Sequence, residues 1–148
     1  MNDPIATLKR DHRDVAAMLK TLDASKPGAR RKATVAKLTS DLRLHMEIEE
    51  RRVYPLVAKL VGKDDAKEAT IEHGLVRDGI DQINRLVDEP GFGAAVAMLT
   101  AGIRHHVKEE ETEVFPGLKK KLDRDELAEL GAEVDADKKA AHRKPRAA

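Results

Sequence analysis

The sequence has no cysteine and no tryptophan. Without a thiol, disulfides, thiolate nucleophiles, iron–sulfur clusters and cysteine-ligated zinc are all excluded, so any metal must be held by histidine and carboxylate. Aromatic residues amount to 2%, two Phe and one Tyr, which leaves no material for base-stacking platforms or aromatic ligand boxes and makes the core aliphatic. No charge sign dominates. The 28 Lys and Arg nearly cancel the 27 Asp and Glu, so no global field steers the chain toward nucleic acid or membrane. No apolar run approaches the roughly 18 residues of a membrane-spanning helix, and the N-terminal MNDPIATLKRDHRD carries acids and a histidine where a signal peptide would be apolar. These absences point to a cytoplasmic protein. A chain of 148 residues is long enough to bury a sizeable core as one domain.

What is present is helical periodicity. Asp3-Pro4 supplies an acid at the N-cap and Pro at the first helical position, and Ile5, Leu8, His12, Val15, Leu19 and Leu22 follow at steps of three and four. After Ser25-Lys26-Pro27-Gly28, a second pattern runs through Val35, Leu38, Leu42, His45, Glu49, Val53 and Leu56 to Gly62, with Pro55 predicting a kink or break late in it. A third pattern begins near Asp64 and carries Ala69, His73, Val76, Ile80, Ile83 and Val87 before Asp88-Glu89-Pro90-Gly91. A fourth carries Val96, Leu99, Ile103, His106, Glu110, Val114 and Leu118, with Pro116 in the place of Pro55. Beyond it, Asp123 and Glu126 form a capping-box pattern opening a short helix through Leu127 and Leu130. Lys138-Lys139 and His142 to Arg146 have no apolar partners and read as a disordered basic tail. The expected organisation is a helical bundle over residues 1–122, followed by the short helix and tail over 123–148.

The two halves repeat. Adding 61 turns His12 into His73, His45 into His106 and Glu49 into Glu110, and AKLTSDLRLHMEIEERRVYP from Ala36 aligns without a gap with AMLTAGIRHHVKEEETEVFP from Ala97. Two matched helix pairs with short connections predict an up-down-up-down four-helix bundle with a pseudo-two-fold axis. All six matched residues fall on inward stripes, the His and Glu of each H-x-x-x-E sharing one face by their i, i+4 spacing. An uncompensated buried carboxylate costs several kcal/mol, against a total fold stability of about 5–15 kcal/mol, so two of them demand compensation. A pair of cations supplies it. Imidazole and carboxylate suit iron, manganese and zinc alike, and the residues alone do not choose among them. His105 and His142 step off the stripes and read as solvent-facing, the alternative for His105 being a place against the residues that hold the metal.

With His12, HMEIE from His45, His73 and HVKEE from His106, trailed by Tyr54-Pro55 and Phe115-Pro116, the chain resembles the hemerythrin-like, or HHE cation-binding, family over roughly residues 5 to 122. The resemblance implies a non-haem centre of two iron ions bridged by an oxo or hydroxo group. His12 and His45 would serve one iron, His73 and His106 the other, and Glu49 and Glu110 both. Oxygen-carrying members add a histidine four residues after the one matching His73 and tend to have Asp in the second bridging place; here those positions hold Arg77 and Glu110. Two histidines per iron leave room for exogenous ligands or for a local residue such as Tyr54. The four-histidine form is similar to hemerythrin-like proteins associated with peroxide decomposition and with oxidative or nitrosative stress. The resemblance therefore implies catalase-like disproportionation of hydrogen peroxide, the alternative being a module that binds or senses oxygen, nitric oxide or iron without turnover.

Overall fold

The computed structural model describes residues 3–143, which are helical apart from short connections, with no strand among them. The elements are α1 (Pro4–Asp23), α2 (Ala29–Ile48), α3 (Tyr54–Leu60), α4 (Lys63–Arg85), α5 (Phe92–Glu109), α6 (Phe115–Lys121) and α7 (Arg124–Arg143). Helix α1 starts as its sequence dictates: the Asp3 carboxylate accepts from the Ile5 amide at 2.9 Å, and Pro4 occupies the first turn, where no amide hydrogen is needed.

Two π-helical segments, Glu49–Val53 and Glu110–Val114, join α2 to α3 and α5 to α6. The kink or break expected at Pro55 is thus a widening of a continuous helix. A proline has no amide hydrogen and its ring crowds the carbonyl four residues back. The wider turn absorbs the conflict, because the Tyr54 amide bonds to the Glu49 carbonyl and the Phe115 amide to the Glu110 carbonyl, each five residues back. The same device recurs 61 residues apart, as the repeat requires.

Helix α1 packs on α2, α2 on α4, α4 on α5, and α5 back on α1. The apolar stripes meet in two aliphatic clusters. One contains Leu19, Leu22, Leu38, Ile80, Ile83 and Leu99, and the other Leu8, Ile48, Val57, Phe115, Leu118 and Val134. Between the clusters along the helices lie His12, His45, Glu49, His73, His106 and Glu110, a polar layer enclosed by hydrocarbon at both ends. The Leu99 side chain of α5 packs over Gly79 of α4, where a Cβ would stand 2.8 Å from Leu99 Cδ1.

The last helix is longer than the sequence suggested. Its capping box forms reciprocally, with the Glu126 amide donating to Asp123 Oδ1 at 2.8 Å and the Asp123 amide to Glu126 Oε1 at 3.0 Å. Instead of fading after Leu130, α7 continues to Arg143, which corrects the expected tail for residues 138–143. The reason is polar anchoring as well as burial of Leu130 and Val134. Arg52 holds Asp137 through Nε at 2.8 Å, and Lys138 Nζ sits 2.6 and 2.7 Å from the two oxygens of Asp11. The rest of the expected tail, residues 144–148, lies outside the described residues. Among the described residues, no helix is long and apolar enough to cross a membrane.

Candidate metal centre

The six predicted residues are all buried, His73, Glu49 and Glu110 to within 1% of full enclosure. They converge as two four-residue sets, His12, His45, Glu49 and Glu110 on one side and His73, His106, Glu49 and Glu110 on the other. Within each set the candidate donor atoms lie within 4.8 Å of one another, and both glutamates belong to both sets. The two sets match in their rings: His12 and His45 meet edge to face at 4.9 Å between centroids, and His73 and His106 at 4.8 Å.

The inner atoms are poorly satisfied by the protein itself. His12 Nε2, His45 Nε2, Glu49 Oε2 and Glu110 Oε1 are buried and make no hydrogen bond. Two of these nitrogens do approach carboxylates, His12 Nε2 at 3.2 Å from Glu110 Oε1 and His45 Nε2 at 3.0 Å from Glu49 Oε1. Those separations have the reach of ion pairs without the directionality of hydrogen bonds, as for atoms aimed at a shared point rather than at each other. Four orphaned polar atoms in an aliphatic interior are costly, and a cation among them would satisfy all four.

Outside the cluster, every one of the four histidines has its Nδ1 on a carboxylate. His12 pairs with Glu111 at 2.7 Å, His45 with Asp11 at 2.9 Å, His73 with Glu50 at 2.6 Å and His106 with Glu72 at 2.7 Å. An ionised carboxylate only accepts, so each Nδ1 carries the hydrogen and each Nε2 faces inward as a potential donor to a metal. Helical periodicity does not single these four acids out. Their signal is the repeat itself, because Asp11 and Glu72, and Glu50 and Glu111, are also 61 residues apart. Each neighbours one candidate ligand in sequence yet orients a histidine on another helix.

Arg77, at the position of the additional histidine in the oxygen carriers, makes no approach to the cluster. Its guanidinium grips both oxygens of Glu50 at 2.9 and 3.0 Å, and through Glu50 it fixes His73.

Tyr54 breaks the symmetry. Its hydroxyl donates to Glu110 Oε2 at 2.5 Å and stands 2.9 Å from His73 Nε2. The matched residue, Phe115, has no hydroxyl and stacks nearly parallel to His12 at 6.0 Å. The two halves of the cluster are therefore chemically inequivalent.

Charge within the cluster is strongly redistributed. Burial alone would push the His45 imidazole down, but Glu49, with Asp11 and Glu110, holds it up at about 10. Burial likewise opposes the charged form of His106, and Glu110, Glu49 and Glu72 raise it to about 9. Glu49 is driven up by burial but held well below the usual carboxylate range by His45 and His73. The Tyr54 hydroxyl is pushed far above its ordinary range by burial and by the charges of Glu49 and Glu110, so it stays protonated. Protons on imidazole thus supply the positive charge that the buried glutamates demand, and they occupy the inward nitrogens that a metal would need.

Two histidine–glutamate sets with common carboxylates, each imidazole oriented by an outer acid, define a cation-binding helical domain. Residues 3–118 match the hemerythrin HHE cation binding domain, and the chain belongs to that family. A curated relative, described as a DNA nickase from Nostoc sp. (strain PCC 7120 / SAG 25.82 / UTEX 2576), is 25% identical over 132 residues, which is 88% of this chain and 38% of that protein. The chain therefore spans well under half of that relative's length. No solved structure matches the chain significantly.

Proposed function

We propose that the chain is an up-down-up-down bundle holding two iron ions, one on His12 and His45 and the other on His73 and His106, with Glu49 and Glu110 shared. On this reading it disproportionates hydrogen peroxide. The four orphaned inner atoms fit one cation, and the second donor set, which contains the same two glutamates with His73 and His106, fits another. The observation that carries the choice of a small ligand is a void of about 20 Å³ beside the four imidazoles, walled by Val15, Leu42, Met46, Val76 and Ile103. One water-sized probe needs roughly 10–15 Å³, so the space suits a ligand the size of hydrogen peroxide, oxygen or nitric oxide and turns away organic hydroperoxides.

Bound iron would supply the two-electron redox capacity that links the half-reactions. In the balanced reaction, one peroxide takes up two electrons and two protons to give two waters, and a second peroxide gives up two electrons and two protons as oxygen. The protein's own part is positioning and proton handling. Tyr54 Oη holds a proton against Glu110 Oε2, in a place closed to bulk water, and the four outer carboxylates keep the imidazoles in the tautomer that donates inward. Iron-loaded protein should evolve oxygen from hydrogen peroxide and leave cumene hydroperoxide untouched. His45→Ala and Glu110→Ala should lose iron and turnover together. Full activity in an iron-free His45→Ala protein would sink the proposal.

A second reading is favoured by the link from the centre to the outermost helix. Lys138 on α7 holds Asp11, and Asp11 holds His45, so a change at the metal has a route to the surface. On that reading the domain binds oxygen or nitric oxide and signals through α7. A stoichiometric spectral change with those gases and no peroxide turnover would select it. The relative's name refers to DNA, but a formal net charge of +1 gives this chain no overall field for phosphate, and the reading stays with small ligands.

A further inference from the structure

The chain contains a third H-x-x-x-E in its second half. His105 and Glu109 repeat the i, i+4 spacing of His106 and Glu110, shifted by one residue, and this turns them from the buried layer to the surface. There they meet Glu72 from α4. His105 Nε2 lies 3.1 Å from Glu72 Oε2 and 3.2 Å from Glu109 Oε1, and one donor atom from each residue falls within 4.8 Å of the others. Donors bound about 2.1 Å from one tetrahedral metal stand roughly 3.4 Å apart, so small side-chain adjustments would bring all three onto a single ion.

The neighbouring carboxylates show what this place has in common with others and what sets it apart. Three of the acids that orient a buried histidine also meet a basic side chain on their outer side. Asp11 has Lys138 at 2.6 Å, Glu50 has Arg77 at 2.9 Å, and Glu72 has His105 at 3.1 Å. The first two partners are permanent cations. The third is an imidazole already shared with a second carboxylate, Glu109. At this one position the protein supplies two acids and a metal-binding base in place of a Lys or Arg. The matching residues in the first half, Leu44 and Ile48, have no such chemistry, so the arrangement is no by-product of the internal repeat.

We propose that Glu72, His105 and Glu109 form a separate surface site for a first-row divalent cation. Imidazole with two carboxylates is a donor set for zinc, iron(II), manganese or cobalt(II), and His105 is 63% exposed, leaving water free to complete the coordination. The site touches the buried centre through one residue. Glu72 Oε2 faces His105 while Glu72 Oε1 holds His106 Nδ1 at 2.7 Å, so a cation outside stiffens the carboxylate that aims an inner histidine. This coupling rests on the proposed function of the buried centre, whereas the surface site does not.

The test is equilibrium dialysis of the full chain, first loaded with iron, against zinc, with zinc and iron both counted. One zinc per chain is expected beyond the iron, and His105→Ala and Glu109→Gln should each weaken it at least tenfold while iron content is retained. Cobalt(II) gives a second readout, with visible absorption bands in the wild type that His105→Ala removes. Equal zinc binding and equal cobalt spectra in wild type and both variants would overturn the surface site. The two sites fail separately. A chain that takes up no iron yet binds one His105-dependent zinc supports the surface site and defeats the buried one. Two irons with no His105-dependent zinc supports the buried centre and defeats the surface one.

Discussion

Removing one outer carboxylate should loosen one metal and spare the other. Asp11 touches His45 at 2.9 Å and Glu111 touches His12 at 2.7 Å, and both histidines belong to the same candidate set. Glu50 touches His73, in the opposite set. Loss of such a partner typically weakens a metal 10–100-fold, which at about 1.4 kcal/mol per decade is about 1.4–2.8 kcal/mol. Asp11→Ala and Glu50→Ala should therefore each release one metal to a chelator at a concentration that leaves the second bound. The decisive comparison uses pairs. Asp11→Ala with Glu111→Ala damages the same set twice and should still leave one metal tightly held, whereas Asp11→Ala with Glu50→Ala damages both sets and should release both. Metal per chain is counted after dialysis against a graded chelator series. Lys138→Met serves as the control for detaching α7, because it keeps the Asp11–His45 contact. A partly exposed ion pair contributes about 0–1 kcal/mol, so the metal affinity of this control should change by no more than about fivefold. If the two double variants release metal identically, the assignment of histidines to separate metals is wrong.

Four further outcomes are expected. Tyr54→Phe removes the donor to Glu110 Oε2 from a site enclosed in hydrocarbon and should cost the metal-free protein about 1–3 kcal/mol in urea unfolding; Phe115→Tyr should not restore it, since Phe115 stacks on His12. Gly79→Ala places a methyl 2.8 Å from Leu99 Cδ1, the movable end of a side chain that borders a cavity, so Leu99 can shift and the roughly 1 kcal/mol gain in helix propensity should prevail, giving a Tm no lower than wild type. For pH, His45 and His106 are raised from 6.5 to about 10 and about 9, so their contribution to the metal-free fold is complete below pH 6.5 and disappears as the pH rises through 9 to 10. Glu49 is lowered, so its contribution is present above its ordinary value of 4.5 and is lost as the pH falls below it. Urea titrations of metal-free protein should thus show greatest stability between those limits. Metal uptake near pH 7 should release protons, measurable as a buffer-dependent binding heat.

The six inner residues were legible because a helix displays burial as a period. His12 between Leu8 and Val15, and His45 between Leu42 and Val53, could face nowhere but inward, and the repeat gave each a counterpart. The outer acids were not legible for a related reason. Asp11, Glu50, Glu72 and Glu111 sit one residue from an inner candidate ligand, hence about 100° round the helix, where a charge reads as surface. Their partners lie on other helices, so only the tertiary arrangement shows what they do. Helix α7 was underestimated because its C-terminal half has few apolar residues, and its anchors, Asp137 on Arg52 and Lys138 on Asp11, pair residues 85 and 127 positions apart. Pro55 announced a disturbance but not its form, since a proline is compatible with either a break or a widened turn.

The widened turns also act as gear teeth. Each π-helical segment fits one more residue into its turn than a regular helix would, and everything beyond it is rotated accordingly. Wound as ordinary α-helix with no residue removed, the same segment would carry Tyr54 about 100° away from the face of Glu49, and the hydroxyl would leave the cluster while the residues before the turn kept their places. Deleting one residue from Glu50–Val53 as well would bring Tyr54 back, four positions after Glu49 in a regular helix. In this molecule the width of one turn, without any new chemical group, decides whether a tyrosine belongs to the centre or to the bundle wall.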